Sequence, residues 1–254
     1  MRINHNLMAM NTHRQLGINN TRGSKAMEKL SSGLRVNRAA DDAAGLSISE
    51  KMRGQIRGLT QAARNTQDGI SFIQTAEGAL NEVSAMLVRM KELAVQKANE
   101  TLSEADVENI EAELTQLSEE IGNISETSKF NGIELFSQIN IVTSDSDTAK
   151  FEIGIDGLEI TVSSDSATAE IETAIDTVNT ARANLGAQQN RLEHIYNNIN
   201  TTTENLQAAE ARIRDTDMAL EMVEFTKNNI LQQAAQAMLA QANQVPQGVL
   251  QLLR

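Results

Sequence analysis

The C-terminal third of the chain carries apolar residues in alternating steps of three and four positions. This spacing predicts a helix that winds around other helices. We expect it to begin near Ala169 and continue past Gln233, with a kink near Asp215-Thr216-Asp217, and its seam spans about 50 residues, roughly 75 Å. With a few polar lapses, the seam runs through Leu185, Gln188, Leu192, Ile195, Ile199, Thr202, Leu206, Ala209, Ile213, Thr216, Leu220, Val223, Lys227, Ile230 and Ala234. A rod of this length cannot bury its own apolar stripe, so the stripe must pack against other helices.

Two helical segments open the chain. A weak amphipathic pattern covers about residues 4–34, and a strong one with steps of four and three covers about 43–97. The segment between them contains Asp41 and Asp42, either of which is placed to cap the second helix.

A third helix is predicted from apolar residues spaced by three and four over positions 107–124. Thr101 with Glu104 fits a capping box at its start, and Ser103 is a rival cap. Phe130-Asn131-Gly132 is a turn signal that ends it.

The period of the pattern changes to two near residue 150. Alternation over 151–155 and again over 158–162 predicts two strands, and the intervening Asp156-Gly157 is a strong hairpin signal. The stretches 137–150 and 163–169 are rich in Ser, Asp and Thr and are predicted to be exposed loops. The fold class predicted is therefore mainly α, a long antiparallel coiled coil or helix bundle with one small β-hairpin at about 150–162.

Composition supports a helical rod rather than a compact enzyme. Aromatic residues make up 2% of the 254 residues, Trp and Cys are absent, and Pro246 is the single proline. The net charge of −12 argues against a nucleic-acid partner and gives no reason to expect a membrane partner. Without cysteine there is no disulfide framework and no thiolate site.

Catalytic and cofactor motifs are missing from the sequence. The histidines His5, His13 and His194 have no partners at metal-ligand spacing, and no glycine-rich phosphate loop occurs. The carboxylate pairs Glu119-Glu120 and Asp41-Asp42 are better explained by solvation and helix capping than by acid–base chemistry. We therefore predict no enzyme activity, no metal site and no cofactor.

The two chain ends suggest self-association. Both are amphipathic, whereas termini are usually frayed and polar. Copies of the same protein are the simplest cover for such faces, and a self-associating surface that does not close produces a filament. The polar N-terminus is not a secretory signal peptide, so export would need a route without a cleaved leader.

Several ordered segments closely resemble the terminal regions of bacterial flagellin, over about residues 1–135 and 170–254. They are Met1–Asn4 with Asn6-Leu7, Leu30–Asn37, Ala40–Leu46, Asn65 with Asp68–Ser71, Gln74–Leu80, Gly186–Leu192 and Ala234–Asn243. The resemblance implies an inner terminal coiled-coil domain, a connecting spoke and a helix bundle with the hairpin. These domains would comprise 1–34 with 220–254, 35–45 with 213–219, and 46–212, respectively.

The resemblance also implies function and partners. The subunit would polymerise with itself into a helical filament for motility, and it would reach the extracellular flagellum through the flagellar type III route. An export chaperone would bind the C-terminal helix, and filament cap and hook-junction proteins would be further partners. The expected self-assembly residues are Ile3, Leu7, Met10, Leu30, Leu34, Ile230, Ala234, Met238, Val245, Val249 and Leu252.

The segment 87–96 resembles the flagellin stretch that the toll-like receptor for flagellin recognises. By this resemblance Arg89, Leu93 and Glu113 would contact the receptor. Leu87, Met90 and Ala94 lie on the apolar seam, so an assembly role for the same stretch is the alternative.

Three alternatives stay open. A hook–filament junction protein would share the terminal helices. An enzyme would need a catalytic insertion, and the middle of this chain shows no catalytic constellation. The candidates for O-glycosylation are Ser144, Ser146, Thr148, Ser163, Ser164 and Ser166.

Overall fold

The computed structural model describes residues 6–99, 102–146, 149–155, 160, 163, 166 and 168–252, with side chains as far as residue 245. Two compact units are present: unit 1 comprises Met1–Gly54 and Leu206–Arg254, and unit 2 comprises Gln55–Asn205. The described helices are α1 (Leu7–Ser32), α2 (Ala43–Lys97), α3 (Glu104–Thr127), α4 (Thr168–Arg214) and α5 (Met218–Leu252). The described strands are β1 (Lys129–Phe130), β2 (Ile133–Glu134), β3 (Ile139–Val142) and β4 (Lys150–Ile153).

The helix boundaries follow from local capping. The Asn6 side chain accepts a hydrogen bond from the Ala9 amide at 3.1 Å and starts α1. Gly33 ends α1 at a φ of 72°, where its amide donates to the Lys29 carbonyl at 2.8 Å. Asp42 accepts from the Gly45 amide at 2.8 Å, which confirms the predicted cap of α2.

The start of α3 is decided in favour of Ser103. Its hydroxyl oxygen accepts from the Asp106 amide at 3.3 Å, and the Ser103 amide donates to the Asp106 carboxylate at 3.2 Å, so the capping box is Ser103 with Asp106. The hydrogen bonds from Ser103 hold the pKa of the Asp106 carboxyl below its usual range.

The predicted C-terminal helix is two helices, with a break rather than a kink at residues 215–217. The backbone there pairs with the segment that follows α1: the Arg35 amide donates to the Arg214 carbonyl at 2.6 Å, and the Thr216 amide donates to the Gly33 carbonyl at 3.0 Å. The Asp217 carboxylate then accepts from the Ala219 and Leu220 amides and begins α5. Because these groups bond elsewhere, the helix cannot run through them.

The core of unit 2 forms where its parts of α2, α3 and α4 meet the strands. Its fully buried large side chains include Phe72, Ile73, Leu80, Leu87, Met90, Ile121, Leu135, Ile153, Ile171, Leu185 and Leu192. Gly69 allows a close approach between α2 and the β3–β4 pair, since a Cβ there would lie 2.1 Å from Ile141 Cδ1. Removal of these apolar side chains from water is the main favourable term in the stability of the unit.

The described strands form two antiparallel pairs, so the predicted number of hairpins, one, was wrong. Asn131 and Gly132 have φ values of 51° and 83° and join β1 to β2. The sequence analysis had instead predicted that this turn ends α3. β4 pairs with β3, whose residues the sequence pattern predicted to be a loop. That prediction was wrong because two isoleucines in a four-residue strand give only a weak signal among Ser and Asp. The predicted Asp156-Gly157 turn lies outside the described residues.

Candidate assembly surface

In unit 1, α1 and α5 pack as an antiparallel pair. The Asn6 side-chain amide donates to the Ala242 carbonyl at 2.7 Å, close to the start of α1 and well along α5. Lys29, near the end of α1, lies 3.8 Å from the carboxylate of Glu221 in the first turn of α5. Between these contacts the Gln232 amide donates to the Asn20 side chain.

The surface between the two helices, here called the inner seam, is unusually polar. On α5 the buried and half-buried positions, apart from Asn229, again step by four and three: Glu221, Phe225, Asn228, Gln232, Ala235, Leu239 and Ala242. Only Glu221, Asn228 and Ala242 of the described part of α5 are fully buried, and α1 contributes Asn19 and Ala26. Because these most buried residues are polar or small, they contribute little hydrophobic burial, and polar seam residues of this kind specify register at a cost in stability.

The apolar stripe detected in the sequence lies on the outside of α5. Leu220, Val223 and Ile230 are 63%, 68% and 61% exposed. The prediction that these residues continue the seam of α4 was therefore wrong. The break at residues 215–217 shifts the heptad phase between α4 and α5. Asp217, which caps α5, was the sequence signal for this break, and the prediction gave it too little weight.

Most of the residues expected to mediate self-assembly are uncovered in the described chain. Those that are exposed are Leu7, Met10, Ile230, Ala234, Met238 and Val245. Leu30 and Leu34 are half-buried, and Ile3 and the side chains of Val249 and Leu252 lie outside the described part. Several large apolar side chains thus remain in contact with water along α1 and α5, an arrangement typical of a candidate interaction surface.

Two of the three predicted receptor residues meet at the surface of unit 2. Arg89 Nε donates to Glu113 at 3.0 Å and Arg89 Nη1 donates to Glu92 at 3.2 Å. These hydrogen bonds, the one to Glu113 foremost, raise the pKa of the Arg89 guanidinium. Leu93 is 2% exposed and belongs to the core, so its side chain does not share this surface.

Other kinds of site were sought over the described ranges. No three His, Asp or Glu side chains in this part of the chain are grouped so that they could hold a metal ion. None of the helices, as far as they are described, combines the length and the apolar character needed to cross a bilayer.

Long helices, a polar inner seam and exposed apolar stripes are features of a helical structural protein. Comparison with known proteins places it more closely. Residues 3–141 match the bacterial flagellin N-terminal helical region, and residues 168–253 match the bacterial flagellin C-terminal helical region.

Full-length relatives agree with this match. The chain is 55% identical to a flagellin of Halalkalibacterium halodurans over 272 residues and 50% identical to a flagellin of Bacillus subtilis over 304, and both alignments cover all of each chain. The crystal structure of Bacillus cereus flagellin aligns with 32% identity and a TM-score of 0.49, over 58% of this chain and 94% of that one. The two family models and the two full-length relatives show that the chain belongs to the bacterial flagellin family. It is a structural subunit of the flagellar filament, and its location is the bacterial flagellum.

Proposed function

We propose that the outward-facing apolar residues of α1 and α5 are the contacts through which copies of the chain polymerise. The observation that carries this proposal is the exposure of Leu220, Val223 and Ile230 on a helix whose inner seam is already occupied by α1. Burying three such side chains against a neighbour would contribute several kcal/mol, at about 1.5–3 kcal/mol each. Ile3, Val249 and Leu252 belong to the same proposal.

Charge placed on the outer stripe tests this assignment. Ile230→Lys should leave the helix content and unfolding of the monomer unchanged, because position 230 is exposed, while the critical concentration for polymerisation rises at least tenfold. Gln236→Lys adds the same charge at another exposed position of α5 and serves as the control. Equal polymerisation of both variants and the parent chain, measured by sedimentation, would disprove the assignment.

The same surface suits the partners that accompany a filament subunit before and after assembly. We propose that an export chaperone covers the apolar face of α5, that the subunit leaves through the flagellar type III route with its N-terminus uncleaved, and that cap and hook-junction proteins contact the assembled chain. Co-purification with the chaperone should weaken for Ile230→Lys and persist for Gln236→Lys. The intact mass of the secreted subunit tests the uncleaved N-terminus.

We propose further that the monomer is recognised by the toll-like receptor for flagellin through the surface around Arg89. Its support is the exposed Arg89–Glu113 ion pair, which presents a cation and a carboxylate side by side. In this proposal Leu93 acts from the core by fixing the helix that carries Arg89. Arg89→Ala should weaken binding to the receptor ectodomain, whereas Arg182→Ala, which removes another arginine of unit 2, should not. Equal affinities for the two variants, or no binding by the parent monomer, would refute it.

Direct assays distinguish the filament subunit from two other functions, a hook–filament junction protein and an enzyme. A hook–filament junction protein would form short pieces, whereas electron microscopy of this subunit should show long filaments. An enzyme would give turnover in protease and hydrolase assays, for which we expect no activity.

A further inference from the structure

Methionine is unevenly distributed between the two units. The chain has ten methionines, and six of those in the described part are between 48% and 66% exposed. All six lie in unit 1, and they are Met8, Met10, Met27, Met218, Met222 and Met238. In unit 2, by contrast, Met90 is fully buried and Met86 is half-buried.

An exposed thioether is open to oxidation. Hydrogen peroxide transfers one oxygen atom to the sulfur lone pair: an S–O bond forms, the O–O bond breaks, the sulfur loses two electrons, and the remaining oxygen leaves as water. The product is a sulfoxide, which is polar and accepts hydrogen bonds, whereas the parent side chain is apolar and flexible. Burying such a group without a partner costs free energy.

We propose that these six methionines are oxidation sites through which hydrogen peroxide blocks polymerisation. The inference rests on the proposed function, because the side chains must pass from water into a contact between copies. Met10 and Met238 belong to the residues assigned to that contact. Met222 adjoins Val223 and borders a shallow groove with Ile230 on the outside of α5. Oxidation before assembly would therefore weaken the contact, and assembly would in turn shield the sulfurs.

Peroxide treatment of purified monomer and of preformed filaments tests the proposal. Peptide mass mapping should find sulfoxide at the six positions in the monomer, with Met90 spared, and little at these positions in filaments. Treated monomer should show a critical concentration raised about tenfold, which corresponds to about 1.4 kcal/mol. Methionine sulfoxide reductases should restore polymerisation of the treated wild-type chain.

Variants connect the modification to its sites. Replacement of all six residues by Leu preserves volume and apolar character, so this variant should polymerise after peroxide treatment as it does before. A Met86→Leu/Met90→Leu variant should remain as sensitive as the parent chain. The proposal is overturned if oxidised wild-type monomer polymerises normally, or if the reductase fails to restore its assembly. Failure of untreated wild-type monomer to polymerise would instead count against the proposed function.

Discussion

Gln188 binds both backbone groups of Gly154 through its side-chain amide. The Gly154 amide donates to Gln188 Oε1 at 3.0 Å, and Gln188 Nε2 donates to the Gly154 carbonyl at 3.1 Å. Gly154 directly follows Ile153, the buried last residue of β4. One side chain of α4 therefore takes the place of a strand neighbour and ties the end of β4 to the helix.

Removing this amide should loosen the β3–β4 pair. Gln188→Ala leaves a half-buried donor and acceptor without their present partner, so the free energy of unfolding should fall by about 1–3 kcal/mol. Urea unfolding of the monomer measures the change. Gln189→Ala, which removes only an i,i+4 contact with Glu193 along α4, should cost less than about 0.5 kcal/mol and is the matched control. A deficit of the same size in both variants would contradict the tie between Gln188 and Gly154.

Position 154 itself should not tolerate a side chain. The φ of Gly154 is 115°, and an added Cβ would lie 2.2 Å from the Ser137 carbonyl oxygen, a backbone atom that cannot move aside alone. Gly154→Ala should therefore reduce stability by more than about 1 kcal/mol. Gly78→Ala should do the opposite: it has nothing within 4 Å of its added Cβ and should gain about 0.5–1 kcal/mol from helix propensity. Paired thermal melts of the two variants check the signs.

Replacing a polar residue of the inner seam by an apolar one should stabilise the α1–α5 pair but specify the register of the two helices less strictly. Asn228 is 5% exposed and lies opposite Gly23, since a Cβ added to Gly23 would lie 3.9 Å from Asn228 Cβ, an ordinary van der Waals distance. Asn228→Leu should raise amide protection of α5 in the monomer by about 1 kcal/mol. Cysteines introduced for Asn20 and Gln232 should crosslink less completely in that background, because a polar seam residue specifies register. Unchanged protection together with unchanged crosslinking would contradict this account.

Prediction from the sequence was most accurate where a single helical periodicity extended from a clear capping residue. The bounds of α2 agree with the prediction of 43–97, because its apolar residues recur at helical spacing along its length and Asp42 caps its start. On α5 the sequence predicted the helical periodicity correctly but not which face of the helix is buried. Two faces of α5 have heptad spacing, and the more apolar one was assigned inward, although Glu221 and Asn228 occupy the inner seam.

The β3–β4 pair was beyond the reach of sequence periodicity. Its strands have four residues each, and their pairing brings Ile139 opposite Ile153 across a Ser- and Asp-rich segment. What stabilises the pair comes from distant elements, namely the space left by Gly69 on α2 and the amide of Gln188 on α4. Tertiary contacts of this kind leave no local signal.

Acid should weaken unit 1 through Glu50. Its carboxylate accepts from Arg214 and from Arg53, each at 2.9 Å, and these hydrogen bonds, the one from Arg214 foremost, hold the pKa of Glu50 below its usual value. The unfolded chain therefore binds a proton at a higher pH than the folded chain does. This contribution to stability is complete above the pKa of the unfolded glutamate and is lost as the pH falls through the lower pKa of Glu50 in the folded chain.

Glu50→Gln should remove that part of the acid dependence and flatten the fall in unfolding free energy below about pH 5. The control is Glu224→Gln, which removes an exposed carboxylate 3.3 Å from Lys227 on the same unit. Carboxyl NMR titration should give Glu50 a midpoint below that of a model peptide, and 1 M salt should reduce the difference because the Glu50 side chain is 52% exposed. If Glu50→Gln loses stability with acid as steeply as the parent chain and the Glu224→Gln control do, the Arg214 contact does not contribute to the acid response.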